Sequence, residues 1–321
     1  MDQKYYLGHP EQTAGAELFR REGGRGDGTR VCRIRNGLGL ECMIAPDRAA
    51  DVTELTFCGQ NMGFLSPCGP AGPDKNAPFL DVFTAGFFTT CGLDNVGSPN
   101  VDEGENLTLH GTISNTPCHN FYAVKEEGGI RVCALLYDGR LFGRNLKMER
   151  EYFFPADENA MLLTDKITNL GEAEAPLEIL YHCNMGYPLL DEDSVLKIPS
   201  ERVTPRNGHA ATGLRDWNKM QPPTAGYEEM CFFHDLRGVA RVAIEQPKLG
   251  LGLAMEYDVK ALPYFTEWKM MGQRQYVLGL EPGNCHPDGR SVMREQGALS
   301  FLKPEETAEF QVKFIFYKTE E

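Results

Sequence analysis

The sequence has too few basic residues to balance its acidic ones: 32 Lys and Arg stand against 46 Asp and Glu, for a net charge of −14 at pH 7. No block of Lys or Arg offsets this excess, so we expect no binding to nucleic acid or to an anionic membrane surface. A neutral ligand such as a sugar would not be repelled. With 41% apolar and 24% charged residues, the chain has the composition of a folded globular protein rather than a disordered one.

Long apolar segments are also missing. Two stretches of membrane-spanning length are free of charge, Leu55–Pro73 and Asn106–Val124, but both carry polar residues, Gly or Pro throughout, so we expect neither to cross a membrane. The N-terminal MDQKYYLGHPEQ lacks the apolar centre of a secretory signal. The ten cysteines form no CxxC pair and several lie in apolar runs, which favours buried, reduced thiols. These features predict a cytoplasmic protein.

Several motifs that define enzyme classes are absent. The chain has no GxxxxGK[ST], no GxSxG, no HExxH and no strand–GxGxxG–helix unit, so nucleotide-dependent transfer, serine hydrolysis on an α/β-hydrolase scaffold and zincin chemistry lose their usual support. His110, His182 and Glu281 could in principle form a His₂-carboxylate metal set. No local HxH or HxxxH spacing supports such a set, and we expect neither a metal nor a cofactor.

Short strand-like segments dominate what is present. Turn-rich clusters such as EGGRGDG and EPGNCHPDG separate them, and no segment shows three turns of helical periodicity. The best helical candidates are short, Glu11–Arg20 and Pro304–Glu306. The sequence therefore predicts an all-β fold of two large packed sheets, in a single domain over residues 1–321. The predicted strands are Arg30–Arg35, Ile130–Leu136, Met161–Ile167, Leu177–His182, Val239–Glu245, Leu251–Tyr257, Tyr276–Leu280 and Phe310–Tyr317.

Polar side chains concentrate in three places. A glycine-rich segment around Asn95 and His110 suits close approach of a ligand, although a solvated connector would have a similar composition. His182 and Asn184 are two residues apart at the end of an apolar run, so on a strand both face the same side, as part of a site or as satisfied core residues. Glu281 ends an apolar strand, where burial can raise its pKa toward that of a base; a rim salt bridge is the alternative.

Arginine and tryptophan are common neighbours of sugars, because a guanidinium bridges vicinal hydroxyls and an indole face stacks on C–H groups. Each such residue, taken alone, is more typical of a surface or a core than of a site. The further candidates for substrate binding are Arg48, Asp51, Arg206, His234 and Trp268.

Five sequence blocks together resemble a known family. RAADVTELTFCGQNMGFLSP, GFFTTCGLDNVG, LHGTISNTP, LYHCNMGYPLLDEDS and LGLEPGN follow one another in this order. They resemble the aldose 1-epimerase-like family of unknown function within the galactose mutarotase superfamily, and the resemblance covers nearly the whole chain. LYHCNMGYPLLDE is the most specific block. The resemblance implies a β-supersandwich of antiparallel sheets and a small-molecule carbohydrate ligand.

The resemblance also implies roles for three residues. Glu281 in LGLEPGN matches the base, His182 in LYHCN the acid, and His110 in LHG a second histidine that helps to hold the sugar ring. The implied reaction interconverts the α and β anomers of an aldose or a modified sugar: Glu281 takes the proton of the C1 hydroxyl while imidazolium His182 protonates the ring oxygen.

The chain departs from the family pattern at one position. No residue clearly matches the acidic side chain that orients the substrate, for which Asp216 and Asp235 are the candidates. Two other functions therefore stay open beside anomer interconversion. One is a carbohydrate-binding or sensing protein without turnover, and the other is a different sugar-active isomerase, lyase or glycosidase on the same fold.

Overall fold

The regular structure of the protein is mostly antiparallel β-sheet. The computed structural model describes residues 3–319. Its helices are short, with α1 at Phe79–Val82, α2 at Gly208–Thr212 and α3 at Arg290–Glu295. Single turns of 3₁₀ helix lie at Gln3–Tyr6, Gly24–Gly26, Ile113–Asn115 and Leu214–Asp216. None of the described helices is long and apolar enough to cross a membrane.

All but one of the strands of the N-terminal third form one five-stranded sheet and two small ribbons. The sheet runs in chain order through β1 (Gly15–Arg20), β2 (Arg30–Arg35), β3 (Leu40–Ala45), β4 (Asp51–Phe57) and β5 (Gln60–Asn61). The ribbons pair β6 (Phe64–Leu65) with β7 (Ala85–Gly86), and β9 (Asn100–Asp102) with β10 (Glu105–Leu107).

Two large sheets contain the remaining strands. The eight-stranded sheet has the order β11-β12-β13-β14-β24-β20-β19-β16, and the seven-stranded sheet has the order β17-β18-β21-β22-β15-β23, with β8 paired to β15. Their bounds are β8 Phe88–Leu93, β11 Asn120–Glu126, β12 Gly129–Gly139, β13 Asn145–Pro155, β14 Ala160–Asn169, β15 Ala175–Met185, β16 Val195–Lys197, β17 Arg202–Pro205, β18 Met230–Asp235, β19 Val239–Gln246, β20 Leu251–Asp258, β21 Tyr264–Gly272, β22 Gln275–Gly283, β23 Ser300–Leu302 and β24 Thr307–Lys318.

The two large sheets pack face to face. Their inner faces supply one apolar cluster, within which the rings of Phe88 on β8 and Phe314 on β24 stack with centroids 6.1 Å apart. The rings of Tyr257 on β20 and Phe265 on β21 stack across the same interface. The prediction of an all-β fold with two packed sheets is confirmed, and every predicted strand lies within an observed one.

Both helical expectations are wrong. Most of Glu11–Arg20 is strand β1, because Gly15–Arg20 pairs residue for residue with β2 and so satisfies its backbone in a ladder. The segment Pro304–Glu306 is the turn between β23 and β24, where Glu305 has a φ of 63° that no helix accommodates.

A buried ion-pair network joins the two large sheets beneath the apolar cluster. The Arg150 side chain on β13 is 0% exposed and reaches Asp165 Oδ2 and Asp51 Oδ1 at 2.7 Å each. Its guanidinium also donates to Thr90 Oγ1 on β8 at 2.8 Å, and Tyr181 Oη on β15 donates to Asp165. One cation thus ties β4, β8, β13, β14 and β15 into fixed positions.

Replacing this guanidinium tests the network. Arg150→Met should lower the free energy of unfolding by about 3–5 kcal/mol, because it leaves two carboxylates buried without a counter-charge. Urea denaturation followed by circular dichroism measures the loss. The matched control is Arg241→Met, which removes an exposed ion pair with Glu256 and should cost about 1 kcal/mol or less. Equal, small effects in both variants would contradict this account.

Candidate active site

A histidine and a glutamate lie side by side on two neighbouring strands of the seven-stranded sheet. β15 and β22 are antiparallel with Cys183 opposite Leu280, a register that places His182 next to Glu281. His182 Nε2 is 3.2 Å from Glu281 Oε1. Both residues are nearly buried, with 5% and 2% of their surface exposed. Two groups that can each give and take a proton are therefore in direct contact.

The pair points away from the core between the sheets. Tyr181 reaches across to Asp165 of the eight-stranded sheet, and adjacent residues of a strand face opposite sides. His182 therefore lies on the outer face of the seven-stranded sheet. Trp268 of β21 is on this same face, with its ring centroid 5.2 Å from that of His182.

His110 comes to the same place on a loop. Its ring centroid is 5.6 Å from that of His182. The backbone N–H of Gly97 donates to its Nδ1 at 3.3 Å, so the neutral ring carries its proton on Nε2. His110 has a φ of 56°, a left-handed conformation that is costly for a residue with a side chain and recurs at functional sites.

Asn95 holds the loop that presents His110. Its amide nitrogen donates to the carbonyl of Thr108 at 2.7 Å, and its oxygen accepts from Asn100 and from the backbone of Arg290. The side chain is 0% exposed. Because its amide is occupied by the loop, Asn95 positions this segment; that it binds substrate stays a prediction.

Arg206 and Glu229 bring charge to the edge of the cluster. Arg206, just after β17, donates from Nε to Asp288 Oδ1 at 3.1 Å and from a terminal nitrogen to the Pro287 carbonyl at 2.9 Å. Glu229 is exposed and accepts from Trp268 Nε1 at 2.6 Å. Both charges act on the pKa of Glu281. The sequence predicted Arg206 and Trp268 but not Glu229.

Two phenylalanine rings cover the histidines. Phe79 and Phe83 stack with centroids 4.8 Å apart. Phe79 lies 5.0 Å from the ring of His110, and Phe83 lies 5.3 Å from the ring of His182. The sequence analysis missed both, because they lie in and after α1, beyond a Pro- and Gly-rich segment with no strand periodicity.

Burial determines the protonation of the cluster. It lowers the pKa of His182 to about 4, against the opposing effects of Asn184 and of its own carbonyl. It lowers the pKa of His110 to about 3, assisted by the charges of His182 and Arg206. It raises the pKa of Glu281 well above its usual range; Glu229 adds to this shift and Arg206 opposes it. Burial therefore favours the neutral imidazole of His182 and the protonated carboxyl group of Glu281. An imidazolium His182 is not the form that burial favours.

Gly279 leaves room for the Glu281 carboxyl group. A Cβ at position 279 would lie 2.3 Å from Glu281 Oε1 and 2.9 Å from the Cβ of Trp268. Any side chain there would displace the carboxyl group or the indole. The first glycine of LGLEPGN thus has a positioning role that the sequence motif alone does not explain.

Asn184 is brought near the cluster but does not line it. Its amide nitrogen donates to the carbonyls of His182 and Ala85, at 2.8 and 3.2 Å. The residue is 0% exposed. Asn184 thus stabilises the backbone that carries His182, and its direct contact with substrate stays a prediction.

His234 and Asp51 are not in the site. His234 lies opposite Phe265 on β21. Phe265 is three residues from Trp268 and therefore faces the other side of the sheet, so His234 faces the core. Its ring contacts Glu267 and Ser200, and its side chain is 0% exposed. Asp51 is held in the Arg150 network. Each side chain faces the space between the sheets, so the structure does not bring either predicted residue to the cluster of His182 and Glu281.

Arg48 and the two candidate acids also lie elsewhere. Arg48 is buried and donates to the carbonyl of Gly72, and within residues 3–319 no hydrogen bond, ion pair or ring contact joins it to the histidines or to Glu281. Asp216 and Asp235 form exposed ion pairs with Lys219 and Arg202. Glu229 is the acidic residue that the structure places beside Trp268.

A metal set is not formed at this site. Within the described part of the chain, no three His, Cys, Asp or Glu side chains are grouped so that they could hold a metal ion. The expectation that the protein needs neither metal nor cofactor stays a prediction.

The fold is that of the galactose mutarotase-like β-sandwich proteins. Residues 26–315 match the family model described as Domain of unknown function (DUF4432), and the chain belongs to that family. A search of curated proteins by sequence gave no match.

Solved structures agree on the fold. A protein of Klebsiella pneumoniae subsp. pneumoniae MGH 78578, assigned as an aldose 1-epimerase, is similar with a TM-score of 0.87 and 25% identity, over 95% of this chain and 83% of that one. Galactose 1-epimerase from Lactobacillus acidophilus NCFM is similar with a TM-score of 0.65 and 14% identity, over 96% and 100% of the two chains. A galactose mutarotase-like protein from Clostridium acetobutylicum gives a TM-score of 0.63 and 17% identity, over 96% and 100%.

The depressed histidine pKa values can be measured directly. At pH 5.5 an ordinary histidine with a pKa of about 6.5 is about 90% protonated, whereas His182 and His110, with pKa values of about 4 and about 3, should both be neutral. Long-range ¹H–¹⁵N NMR of the imidazole rings, assigned with single His→Gln variants, reports this state. The same chain in urea serves as control, since its histidines should titrate near their ordinary value. Titration midpoints near 6.5 in the folded protein would contradict the prediction.

These shifts also affect stability. Because the two rings stay neutral in the folded chain and become charged in the unfolded one, their contribution to the free energy of unfolding should fall as pH drops from about 6.5 toward about 4, while the raised pKa of Glu281 contributes in the opposite direction.

Proposed function

We propose that this protein interconverts the α and β anomers of an aldose by acid–base ring opening. The observation that carries the proposal is the 3.2 Å contact between His182 Nε2 and Glu281 Oε1, on the outer face of the sheet beside His110. Anomer interconversion needs two groups at one acetal-like centre, each able to accept a proton in one half of the reaction and return it in the other. A buried Glu–His pair that shares one proton has this property.

The working form of the pair arises from an internal proton transfer. When the Glu281 proton passes to His182, the pair becomes a carboxylate and an imidazolium without any proton entering the site. Glu281 then takes the proton of the C1 hydroxyl, His182 protonates the ring oxygen, and the C1–O5 bond breaks to give the open-chain aldehyde.

Reclosure reverses both transfers. After rotation about C1–C2, the O5 hydroxyl attacks the opposite face of the aldehyde and returns its proton to His182. Glu281 returns its proton to the former carbonyl oxygen, which becomes the C1 hydroxyl of the other anomer. The neutral His110, protonated on Nε2, donates a hydrogen bond to a sugar oxygen, and the indole of Trp268 stacks on the C–H face of the ring.

Replacing the base tests the proposal. Glu281→Gln keeps the size of the side chain and removes its proton acceptor, so the catalysed rate of anomer exchange should fall by at least about 100-fold. Polarimetry of freshly dissolved single anomers, or NMR exchange spectroscopy at equilibrium, measures this rate over a panel of sugars. Glu256→Gln, on the other large sheet, is the control and should keep the wild-type rate. Equal rates for the wild type and Glu281→Gln would overturn the assignment.

The wild-type protein itself separates an enzyme from a binding protein. A binding protein without turnover would show saturable sugar binding by calorimetry and no acceleration of anomer exchange in the wild type.

A glycosidase is the second candidate, because Glu229 supplies a second carboxylate near Glu281 and hydrolysis uses two. Release of phenol from aryl glycosides, lost in both Glu281→Gln and Glu229→Gln, would favour it over the epimerase.

The space that Gly279 leaves for the Glu281 carboxyl group gives an independent test. Gly279→Ala should lower the rate of anomer exchange by about tenfold or more, because the added Cβ would lie 2.3 Å from Glu281 Oε1 and even small misplacement of a catalytic group is costly. The matched control is Gly208→Ala, where the added Cβ meets no atom within 4 Å. Circular dichroism checks that both variants fold. Wild-type activity in Gly279→Ala would show that the carboxyl position is not critical.

A further inference from the structure

Arg206, a cation beside the proposed sugar site, already forms an ion pair with Asp288. Arg206 is the guanidinium whose charge acts on both His110 and Glu281. Its Nε donates to the Asp288 carboxylate at 3.1 Å, and a terminal nitrogen is held by the Pro287 carbonyl. Little of its positive charge remains to attract an anion.

Glu229 adds a carboxylate without a counter-ion. The Trp268 indole holds one of its oxygens at 2.6 Å, and within residues 3–319 no Lys, Arg or His lies close enough to form an ion pair with it. Its charge acts on the proposed base, since it raises the pKa of Glu281. The positive charge of Arg206 is therefore outnumbered by the negative charges of Asp288 and Glu229, and the site carries an excess of negative charge.

Among residues 3–319, the other cations on the strands of this sheet are paired or point away: Arg202 on β17 forms an ion pair with Asp235 at 2.8 Å. Lys269 follows Trp268 on β21 but points to the other face, where its ammonium group donates to the carbonyls of Asp216 and Trp217. The pKa values of His182, His110 and His286 are all lowered by burial, so these rings bring no positive charge at neutral pH.

We propose that this site selects uncharged aldoses over sugars that carry a carboxylate, phosphate or sulfonate, and that Glu229 is the residue that sets this preference. The inference rests on the proposed function, because it concerns the substrate of that same site. An anionic substituent would lose its hydration and meet the Glu229 carboxylate with no free cation to pair with. A neutral hexose meets hydrogen-bond acceptors and an indole face instead.

The decisive comparison uses three sugars of nearly the same shape. The neutral hexose that the enzyme anomerises fastest is compared with its 6-carboxylate and with the methyl ester of that uronic acid, by kcat/KM for anomer exchange. The uronate should be slower than the hexose by about tenfold or more. The ester, which is larger but uncharged, should recover most of the rate.

A variant and a salt series separate charge from shape. Glu229→Gln should lower the ratio of kcat/KM for the hexose to kcat/KM for the uronate by about threefold or more. Glu256→Gln changes the net charge equally, at an ion pair on the other large sheet, and should leave this ratio unchanged. Raising ionic strength from about 0.01 M to about 1 M shortens the Debye length from about 30 Å to about 3 Å and should also narrow the ratio.

Three results would overturn the inference: an ester rejected as strongly as the uronate, a ratio unaffected by Glu229→Gln, or an anionic sugar as the fastest substrate of the panel. If no sugar is anomerised, the proposed function fails. Saturation-transfer NMR then measures the binding of the same three sugars. Tighter binding of the uronate than of the hexose, or no binding of the hexose, would contradict the proposed charge preference.

Discussion

The contact between His182 and Glu281 is the feature on which the site depends. In water each group would titrate near its ordinary pKa, but burial opposes an isolated charge on either one and so favours a neutral imidazole beside a protonated carboxyl group. Gly279 allows the carboxyl group to take this position. Burying polar groups so deeply is costly unless the surrounding structure holds them in place. Here the register of β15 against β22 holds both side chains in place.

The core on the opposite face maintains this register. On β15, Tyr181 reaches into the Arg150 network while His182, one residue on, faces the site. A slip of one residue would exchange the two faces, bringing a phenol to the site and an imidazole into the ion-pair network. Stability and chemistry are thus coupled through one strand, since the buried network that joins the sheets also determines which side chains reach the outer face.

The rest of the site comes from segments outside the regular strands. His110 is held in a left-handed conformation by a loop whose polar groups Asn95 satisfies. Glu229 precedes β18, and Phe79 and Phe83 accompany the shortest α-helix. A rigid sheet therefore supplies the proton-transfer pair, while loops supply the walls, an arrangement in which loop variation can change the substrate without disturbing the pair. The exposed carboxylate of Glu229 is one such wall residue.

Local patterns in the sequence determined the strands, because alternation of apolar and polar residues is a property of neighbouring positions. Local clusters of polar residues also singled out His182, Glu281 and His110, and the family resemblance implied their roles in proton transfer and in holding the ring. Alternation cannot tell which face of a strand meets the core, and for that reason His234 and Asp51 were assigned to the site although both face inward. Glu229, Phe79 and Phe83 have no periodic pattern around them; their places depend on pairing between strands far apart in the chain, which only the folded structure decides.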